Sequence, residues 1–351
     1  MPLWQIVEPV THFLTGACLS RTGFNRKTAY ATLAMTLAAE AADLDMLWGF
    51  RGPVTVLQHH RGITHTFLGA PFVALAVVGF VWLIHRWRKK PPAPAPRWGL
   101  LWFFALIAAL SHLLLDYTNS YGLRPFFPFN PHWYAWSIVS IFDPVIFVAL
   151  LASFFMPWIF GLTDREIGAR RTRFRGRGWS IAALIFIVLW WSVRNAEHAH
   201  AIELVRNGGY IEQPITRINA EPAMFDPFAW RVVAETPGYY RVIEVHTLHD
   251  DVESDTAQTI YKPEVTPAVA AAKQSYLGRI YLDWSMFPLV TDIGNAPAHG
   301  AWLPKPGWHT IEFQDLRFYN PITGSSPLSA WVYVGPGNRV EAMFMSGHEQ
   351  K

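Results

Sequence analysis

The sequence predicts a mainly α-helical polytopic membrane domain, with about five membrane helices and a short N-terminal half-helix, followed by a small α+β extracytoplasmic domain. Three observations predict this class. Of the 351 residues, 51% are hydrophobic and only 16% are charged, whereas roughly a quarter of a soluble chain is charged. Long uncharged runs fill the N-terminal half. Alternating and β-branched stretches fill the C-terminal part.

Four uncharged runs are predicted to cross the membrane because of their length and apolar character. They are residues 66–84, 98–115, 144–162 and the shorter 179–193, whose terminal tryptophans suit a membrane interface. A fifth candidate, residues 28–50, is helical by its alanines and leucines but carries three acidic residues. Residues 9–20 are too short to span and are expected to form the half-helix.

Basic residues predict the topology of these spans. They concentrate before residue 28, in the proline-rich loop after residue 84 and in the run "DREIGARRTRFRGRG". The positive-inside rule makes these three segments cytoplasmic and the C-terminal domain extracytoplasmic. The predicted divisions are residues 1–163 for a membrane-embedded metal-site domain, 164–178 for a basic cytoplasmic loop, 179–193 for the last transmembrane helix, and 194–351 for a soluble α+β domain.

The soluble domain is predicted from strand patterns and one helical insert. The stretches "WRVVAET", "YYRVIEVHTL", "WHTIEFQDLRF" and "LSAWVYVG" are typical of strands. Residues 266–287 are predicted to be helical, with Pro267 near the first turn.

Composition excludes several classes of protein. The net charge of +3 is too small to indicate nucleic-acid binding. A single cysteine, Cys18, excludes an intramolecular disulfide and a cysteine-rich zinc site, so histidines and carboxylates are the available metal ligands. No cleavable signal peptide is expected, because the N terminus lacks a basic start and an uninterrupted apolar run.

The polar residues of the membrane segments all fall on the outer side of the predicted topology. They are Glu40, Asp43, Asp45, His59, His60, Arg61, His65, His112, Asp116 and Asp143, and His12 joins them if residues 9–20 enter the membrane from that side. An uncompensated carboxylate in a bilayer costs about 2.5–3.5 kcal/mol on insertion scales. A shared divalent metal would neutralise several of them at once, and these residue types are suitable ligands.

Spacing indicates which side chains point together. His112 and Asp116 lie four residues apart, and Glu40 and Asp43 lie three apart, so each pair shares a helix face. Asp43 and Asp45 would diverge by about 200° on a regular helix. Either the helix ends at Asp43, or one of these two aspartates lies behind the ligands.

Several of these residues also have a structural explanation that requires no metal. The pair of His112 and Asp116 is compatible with an ordinary hydrogen bond, and Asp143 before Pro144 with a helix N-cap. The stretch "HHRGITH" is compatible with a solvated loop whose Arg61 binds lipid headgroups.

The order of these motifs resembles the YdjM-like family of inner-membrane metal-dependent hydrolases. The resemblance extends over residues 9–160 and rests on five features in this order: "THFLTG", "DLD", "HHRGITHT", "HLLLDYTNSYG" and an aspartate that opens a span. One departure is Ala42, where the family often has a proline. A more distant likeness, through the His-x-x-x-Asp helix, is to helical zinc phospholipases C and P1-type nucleases.

The resemblance implies a bacterial inner-membrane hydrolase with a periplasmic C-terminal domain. By position, it implies the metal ligands His12, Asp43, His60, His65, His112, Asp116 and Asp143, with Asp45 as a further candidate. His59 and Asn119 are expected behind the ligands, and Gly122 in a turn beside the site. The ligand mix favours zinc, and the number of ions stays open.

The hypothesis for the mechanism is attack of a metal-activated water on an ester or phosphoester. Glu40, or the one of Asp43 and Asp45 that is not a ligand, with Asp45 the preferred choice, would accept the proton, and Arg61 would stabilise developing negative charge. A site at this depth favours a lipid-linked phosphate or a phospholipid as substrate, with membrane lipids as partners and no nucleic acid. The alternative is a non-enzymatic membrane protein: an ion or proton relay, or a metal-stabilised scaffold with a partner-binding tail.

Overall fold

A computed structural model describes residues 4–90, 92, 95–166, 176–320 and 324–350. The helices are α1 (Trp4–Arg21), α2 (Ala31–Ala38), α3 (Pro53–His59), α4 (Ala70–Trp87), α5 (Trp98–Thr118), α6 (Pro144–Glu166), α7 (Arg177–Asn207), α8 (Pro267–Gln274) and α9 (Tyr276–Trp284). The predicted basic loop at 164–178 falls largely on residues 167–175, which lie outside the described residues.

The chain forms two compact units. The helical unit comprises the chain up to Leu44, Arg61–His198 and Pro222–Pro227. The sheet unit comprises Asp45–His60, Ala199–Glu221 and the chain from Phe228 onward.

Three helices of the described residues are long and apolar enough to cross a membrane: α4, α5 and α7. Each contains or overlaps a predicted span, and α7 extends well beyond the predicted 179–193. The predicted span 144–162 corresponds to α6, whose apolar part, Pro144–Phe160, is shorter. The described part of the chain therefore supports three candidate spans and does not confirm the predicted number of about five.

The core of the helical unit is built from small side chains. Ala34 and Ala38 of α2, Ala74 of α4, and Ala105 and Ala108 of α5 are all fully buried in one cluster. Small residues let the backbones of membrane helices approach closely, which increases their van der Waals contact.

The prediction of one helix over residues 28–50 is wrong. Tyr30 has a positive φ of 63°, α2 is only eight residues long, and a 3₁₀ segment, Ala41–Arg51, follows it. In a continuous helix the Ala39 carbonyl would accept from the N–H of Asp43. Here the Asp43 N–H donates to the carbonyl of Glu40 (3.2 Å), and the Ala39 carbonyl accepts from the His112 ring (2.8 Å). Helix α2 therefore does not continue to residue 43, because the Ala39 carbonyl binds the His112 ring and the Asp43 N–H binds the Glu40 carbonyl.

Two further helix predictions need correction. The N-terminal half-helix is an 18-residue helix, α1. The single helix predicted over residues 266–287 is two helices, α8 and α9, which meet at Ser275. The Ser275 hydroxyl accepts from the N–H of Gly278 (3.0 Å) and so caps α9. Pro267 occupies the first turn of α8, as predicted.

The sheet unit contains two five-stranded sheets. The strands are β1 (Arg217–Pro222), β2 (Ala229–Glu235), β3 (Tyr239–His246), β4 (Asp251–Val252), β5 (Gln258–Tyr261), β6 (Pro288–Asp292), β7 (His309–Asp315), β8 (Ala330–Gly335), β9 (Arg339–Met345) and β10 (His348–Gln350). The first sheet has the order β1-β2-β3-β4 with β5 also paired to β3, and the second has the order β10-β9-β8-β7-β6. All four predicted strand stretches are confirmed, as β2, β3, β7 and β8.

The short segment Asp45–His60 packs within the sheet unit. The Tyr276 hydroxyl donates to Gln58 (2.7 Å), and the Val54 N–H donates to the side chain of Gln350 (3.2 Å). The chain therefore leaves the helical unit after Leu44 and returns to it at Arg61, an excursion that the sequence did not indicate.

A buried ion pair lies at the end of β7, and Ser285, which follows α9, is hydrogen-bonded to it. Arg317 lies 2.9 Å from Asp315, and the side chains are 2% and 0% exposed. The Ser285 hydroxyl donates to the same carboxylate (2.6 Å). Burial by itself raises the pKa of Asp315, but the Arg317 guanidinium outweighs burial and holds that pKa below its ordinary value.

We expect Asp315→Asn to destabilise the sheet unit by about 3–5 kcal/mol, because it leaves a buried guanidinium without its counter-charge. Urea unfolding of the full chain in detergent, followed by tryptophan fluorescence, measures the loss. Glu244→Gln is the matched control. Glu244 pairs with Arg231 at 2.7 Å, but both side chains are partly exposed, so its effect should stay below about 1 kcal/mol. Equal effects of the two variants would contradict the prediction.

Candidate metal centre

Four side chains of the helical unit converge at one point: Asp43, His65, His112 and Asp116. The His65 Nε2 atom lies 2.9 Å from His112 Nε2, 3.2 Å from Asp43 Oδ1 and 3.4 Å from Asp116 Oδ2. The His112 Nε2 atom lies 3.3 Å from Asp116 Oδ2 and 3.6 Å from Asp43 Oδ1. These atoms therefore surround a common centre.

The separations fit the donor set of a small divalent cation. Ligands placed 2.0–2.2 Å from a tetrahedral zinc lie about 3.3–3.6 Å from one another. Five of the six donor pairs here are 2.9–3.6 Å apart, and all four donors lie within 4.8 Å of one another. Two imidazole nitrogens and two carboxylate oxygens also form a donor mix that zinc accepts.

Three structural elements bring these donors together. Helix α5 supplies His112 and Asp116 from successive turns, which confirms the predicted convergence of this pair. The 3₁₀ turn Ile63–His65 supplies His65, and the Thr66 hydroxyl secures that turn by donating to the Ile63 carbonyl (2.8 Å). The 3₁₀ segment after α2 supplies Asp43.

The second ring nitrogen of each histidine is also held. His112 Nδ1 donates to the Ala39 carbonyl, which leaves the lone pair of a neutral ring on Nε2, facing the centre. His65 Nδ1 lies 3.0 Å from the Thr64 hydroxyl. Such outer contacts orient metal-binding histidines.

Electrostatics also favour a cation at this point. The His65, His112 and Asp116 side chains are 0–1% exposed, whereas Asp43 is 18% exposed. Asp116 Oδ2 accepts no hydrogen bond from the described residues, and the Nε2 lone pair of a neutral His112 points at it.

Arg61 lies behind Asp116. Its NH2 group is 2.8 Å from Asp116 Oδ1, and its NH1 group donates to Asn119 Oδ1 and to the Gly122 carbonyl, both at 3.1 Å. The guanidinium also lies 4.8 Å from the centre of the Tyr121 ring. The Arg61 side chain is 2% exposed and is directed at Asp116. Asn119 therefore orients Arg61 and not one of the metal ligands. Gly122 has a φ of 82° in the turn predicted for it.

His12 lies next to the four-residue cluster without belonging to it. Its ring is 4.0 Å from the His112 ring, centre to centre, and its Nε2 atom is 3.5 Å from Asp116 Oδ1. His12 therefore contacts the oxygen that faces Arg61, not the oxygen that faces His65 and His112.

Asp143, which was predicted to be a metal ligand, makes other contacts. One carboxylate oxygen accepts from the N–H groups of Val145 (2.8 Å) and Ile146 (3.0 Å), and the other accepts from the Trp190 indole (3.2 Å). The alternative that Asp143 is an N-cap therefore agrees with the structure.

The remaining predicted residues have other surroundings. In the sheet unit, His60 Nδ1 lies 2.7 Å from Asp45 Oδ1, and the exposed His59 stacks on Trp48 at 4.6 Å. Glu40, in the helical unit, is half-buried just after α2 and is not one of the four clustered residues.

Sequence analysis missed the residues that orient the ligands. The Ala39 carbonyl, Thr64 and Thr66 had no assigned role. The two threonines flank His65 in "ITHT", and their position beside a candidate ligand was the available signal. Nothing in the sequence distinguishes the Ala39 carbonyl from its neighbours.

Comparison with known proteins identifies the family. The profile of the YdjM inner membrane protein family matches residues 7–201, more than half of the chain. The chain belongs to the YdjM inner membrane protein family. All four clustered residues lie within the matched region, and both sheets lie outside it.

One curated relative of this YdjM family member is "Uncharacterized protein YfhP" of Bacillus subtilis (strain 168). The two are 27% identical over 151 residues, which cover 41% of this chain and 44% of the relative. The chain thus spans less than half the length of this relative. No solved structure matches the chain.

Two isosteric variants test the metal centre. We expect Asp116→Asn to lose bound metal, because Asp116 supplies a buried charge at the centre, and to insert into the membrane normally. Asp143→Asn should keep its metal, because asparagine is also a good N-cap. Metal analysis of the detergent-purified proteins by mass spectrometry measures both. Undiminished zinc in Asp116→Asn, or equal loss in both variants, would contradict the assignment.

A second prediction concerns Arg61. We expect Arg61→Gln to weaken metal binding about 10–100-fold, the usual cost of removing a group that orients a ligand. Competition with a chelating dye measures the affinity. Arg124→Gln is the control, because Arg124 is also buried and its guanidinium lies over the Trp133 ring. An unchanged affinity in Arg61→Gln would show that Arg61 does not support Asp116.

Proposed function

We propose that this YdjM family member is a membrane-embedded metal-dependent hydrolase. One observation carries the proposal: three buried donors, on His65, His112 and Asp116, meet a fourth on Asp43, the most exposed of the set. A buried metal site with one accessible edge is the arrangement that metal-assisted hydrolysis requires.

The residues have distinct roles in this proposal. His65, His112 and Asp116 would hold the cation, which would supply Lewis acidity and a nucleophile at neutral pH. Asp43 stands at the edge that water can reach, so it would bind the cation or accept the proton released by the attacking water. Arg61 is a positioning residue, because it contacts Asp116 and not the accessible edge.

The location favours a substrate with a lipid part. His112 and Asp116 lie in the last two turns of the membrane helix α5. The basic segments of the sequence flank the opposite ends of the spans, so the positive-inside rule would put the metal centre at the outer boundary and the C-terminal domain in the periplasm. A phospholipid or a lipid-linked phosphate ester would reach such a site from the bilayer.

A second candidate is a metal-stabilised scaffold. The observation that favours it is the number of protein ligands, because four protein donors complete a tetrahedral centre, as in structural zinc sites. A proton relay is less well supported, because the four side chains surround one point and do not form a chain of residues through the bilayer.

Hydrolysis by the purified full chain distinguishes the two candidates. We expect cleavage of a lipid-phosphate ester in mixed micelles to fall at least about 100-fold with a chelator and to return with zinc. His112→Gln should lose both metal and activity. Asp43→Asn should keep most of its metal through the three buried donors but lose about 10²–10⁴-fold in rate.

The control variant is His59→Gln, which removes an exposed histidine of the "HHRGITHT" segment and should change neither readout. The hydrolase proposal fails if the protein binds zinc stoichiometrically, cleaves no ester in the screen and loses thermal stability when the metal is removed. That combination would establish the scaffold.

A further inference from the structure

The helical unit contains a second polar cavity, separate from the metal centre. Its volume is about 660 Å³, and four basic side chains line it: Arg26, Lys27, Arg97 and Arg177. All four are exposed at the protein surface. Among the described residues, the lining includes no aspartate or glutamate. The cavity therefore has a concentrated positive charge.

The lining also has an apolar part. Phe24, Leu100 and Phe104 form it, and Thr22 and Gly23 complete the wall. Leu100 and Phe104 belong to α5, about 5 and 11 Å along the helix axis from Arg97 at 1.5 Å per residue. Because α5 is a candidate membrane span, the cavity has a cationic rim at the end of the span and an apolar floor inside it.

Two structural features fix this rim. The Arg177 Nε atom donates to the Thr22 carbonyl (2.7 Å), which holds the base of the guanidinium at the cavity edge. The Arg97 N–H donates to the Thr28 hydroxyl (2.7 Å), which connects the start of α5 to the segment after α1. Helices α5 and α7 also begin here, and their N-terminal dipoles add positive potential.

The cavity lies at the opposite end of α5 from the metal centre. His112 is about 21 Å along the helix axis from Trp98, which is about two-thirds of the roughly 30 Å thickness of the hydrocarbon core. The two sites therefore open at different boundaries of the membrane, and this cavity does not serve the metal centre directly.

We propose that this cavity binds the phosphate group of an anionic phospholipid. Several cations match a phosphate, and the arginines offer it paired N–H donors. The apolar floor matches the acyl chains that follow the headgroup in a lipid. A soluble phosphate ester shares the phosphate chemistry but has nothing to place on Leu100 and Phe104. Basic pockets between membrane helices are suited to lipid headgroups for this reason.

Native mass spectrometry of the full chain, titrated with dioleoyl-phosphatidylglycerol or dioleoyl-phosphatidylcholine, tests the proposal. We expect one phosphatidylglycerol to bind at least tenfold more tightly than phosphatidylcholine. The double variant Lys27→Gln/Arg97→Gln should abolish that preference. Each basic residue near an anionic lipid strengthens binding by up to about tenfold, so the loss of two such residues is enough to remove a tenfold preference. Both side chains are exposed, and size-exclusion profile and metal content report whether the variant is folded.

Lys89→Gln/Lys90→Gln is the matched control, because it removes the same charge from exposed residues that do not line the cavity. It should keep the preference for phosphatidylglycerol. Equal loss in both double variants would mean general attraction to anionic lipid and would overturn the proposal. Displacement of the bound lipid by an equal concentration of glycerol 3-phosphate would overturn the lipid as the source of the phosphate. If the double variant does not fold, each single variant should lower the preference on its own.

Discussion

A cluster of hydrogen-bond acceptors buried within a membrane protein constrains the whole helical unit. Asp116 is almost completely buried, and its Oδ2 oxygen faces the Nε2 atoms of two histidines. A carboxylate in such surroundings needs positive charge nearby, because an uncompensated charge is costly in a medium of low polarity. Arg61 supplies that charge on one oxygen. A divalent cation held with His65, His112 and Asp43 would supply it on the other.

This requirement explains several departures from regular structure. Helix α2 stops at Ala38 although its sequence favours a longer helix. The reason is that the Ala39 carbonyl orients His112, and the 3₁₀ segment that follows places Asp43 next to His112. Arg61 has a φ of 55°, an uncommon conformation for a residue with a side chain. Such local costs are found where a site has to be built precisely.

The two ends of α5 have opposite chemistry. Acidic and imidazole groups gather near its C-terminal end, and arginine and lysine side chains surround a cavity at its N-terminal end. Each set of side chains opposes the field of the helix, because cations are favoured at a helix C terminus and anions at its N terminus. Each end therefore favours a ligand whose charge is opposite to that of the side chains. A metal ion at one boundary and a lipid phosphate at the other would each follow that polarity.

Periodicity and spacing in the sequence determined the class of the fold, the positions of α4, α5 and α7, the four strand stretches of the sheet unit, and the pairing of His112 with Asp116. These features depend on residues close together in the chain. Only the tertiary structure placed Asp43 beside His65, His112 and Asp116, showed Asp143 as a helix cap, turned Arg61 toward Asp116 and packed Asp45–His60 within the sheet unit. Each of these outcomes depends on contacts between residues far apart in the chain, such as Ala39 with His112 or Gln58 with Tyr276. Local pattern carries no information about such contacts, because the partner's position is set by the packing of other elements.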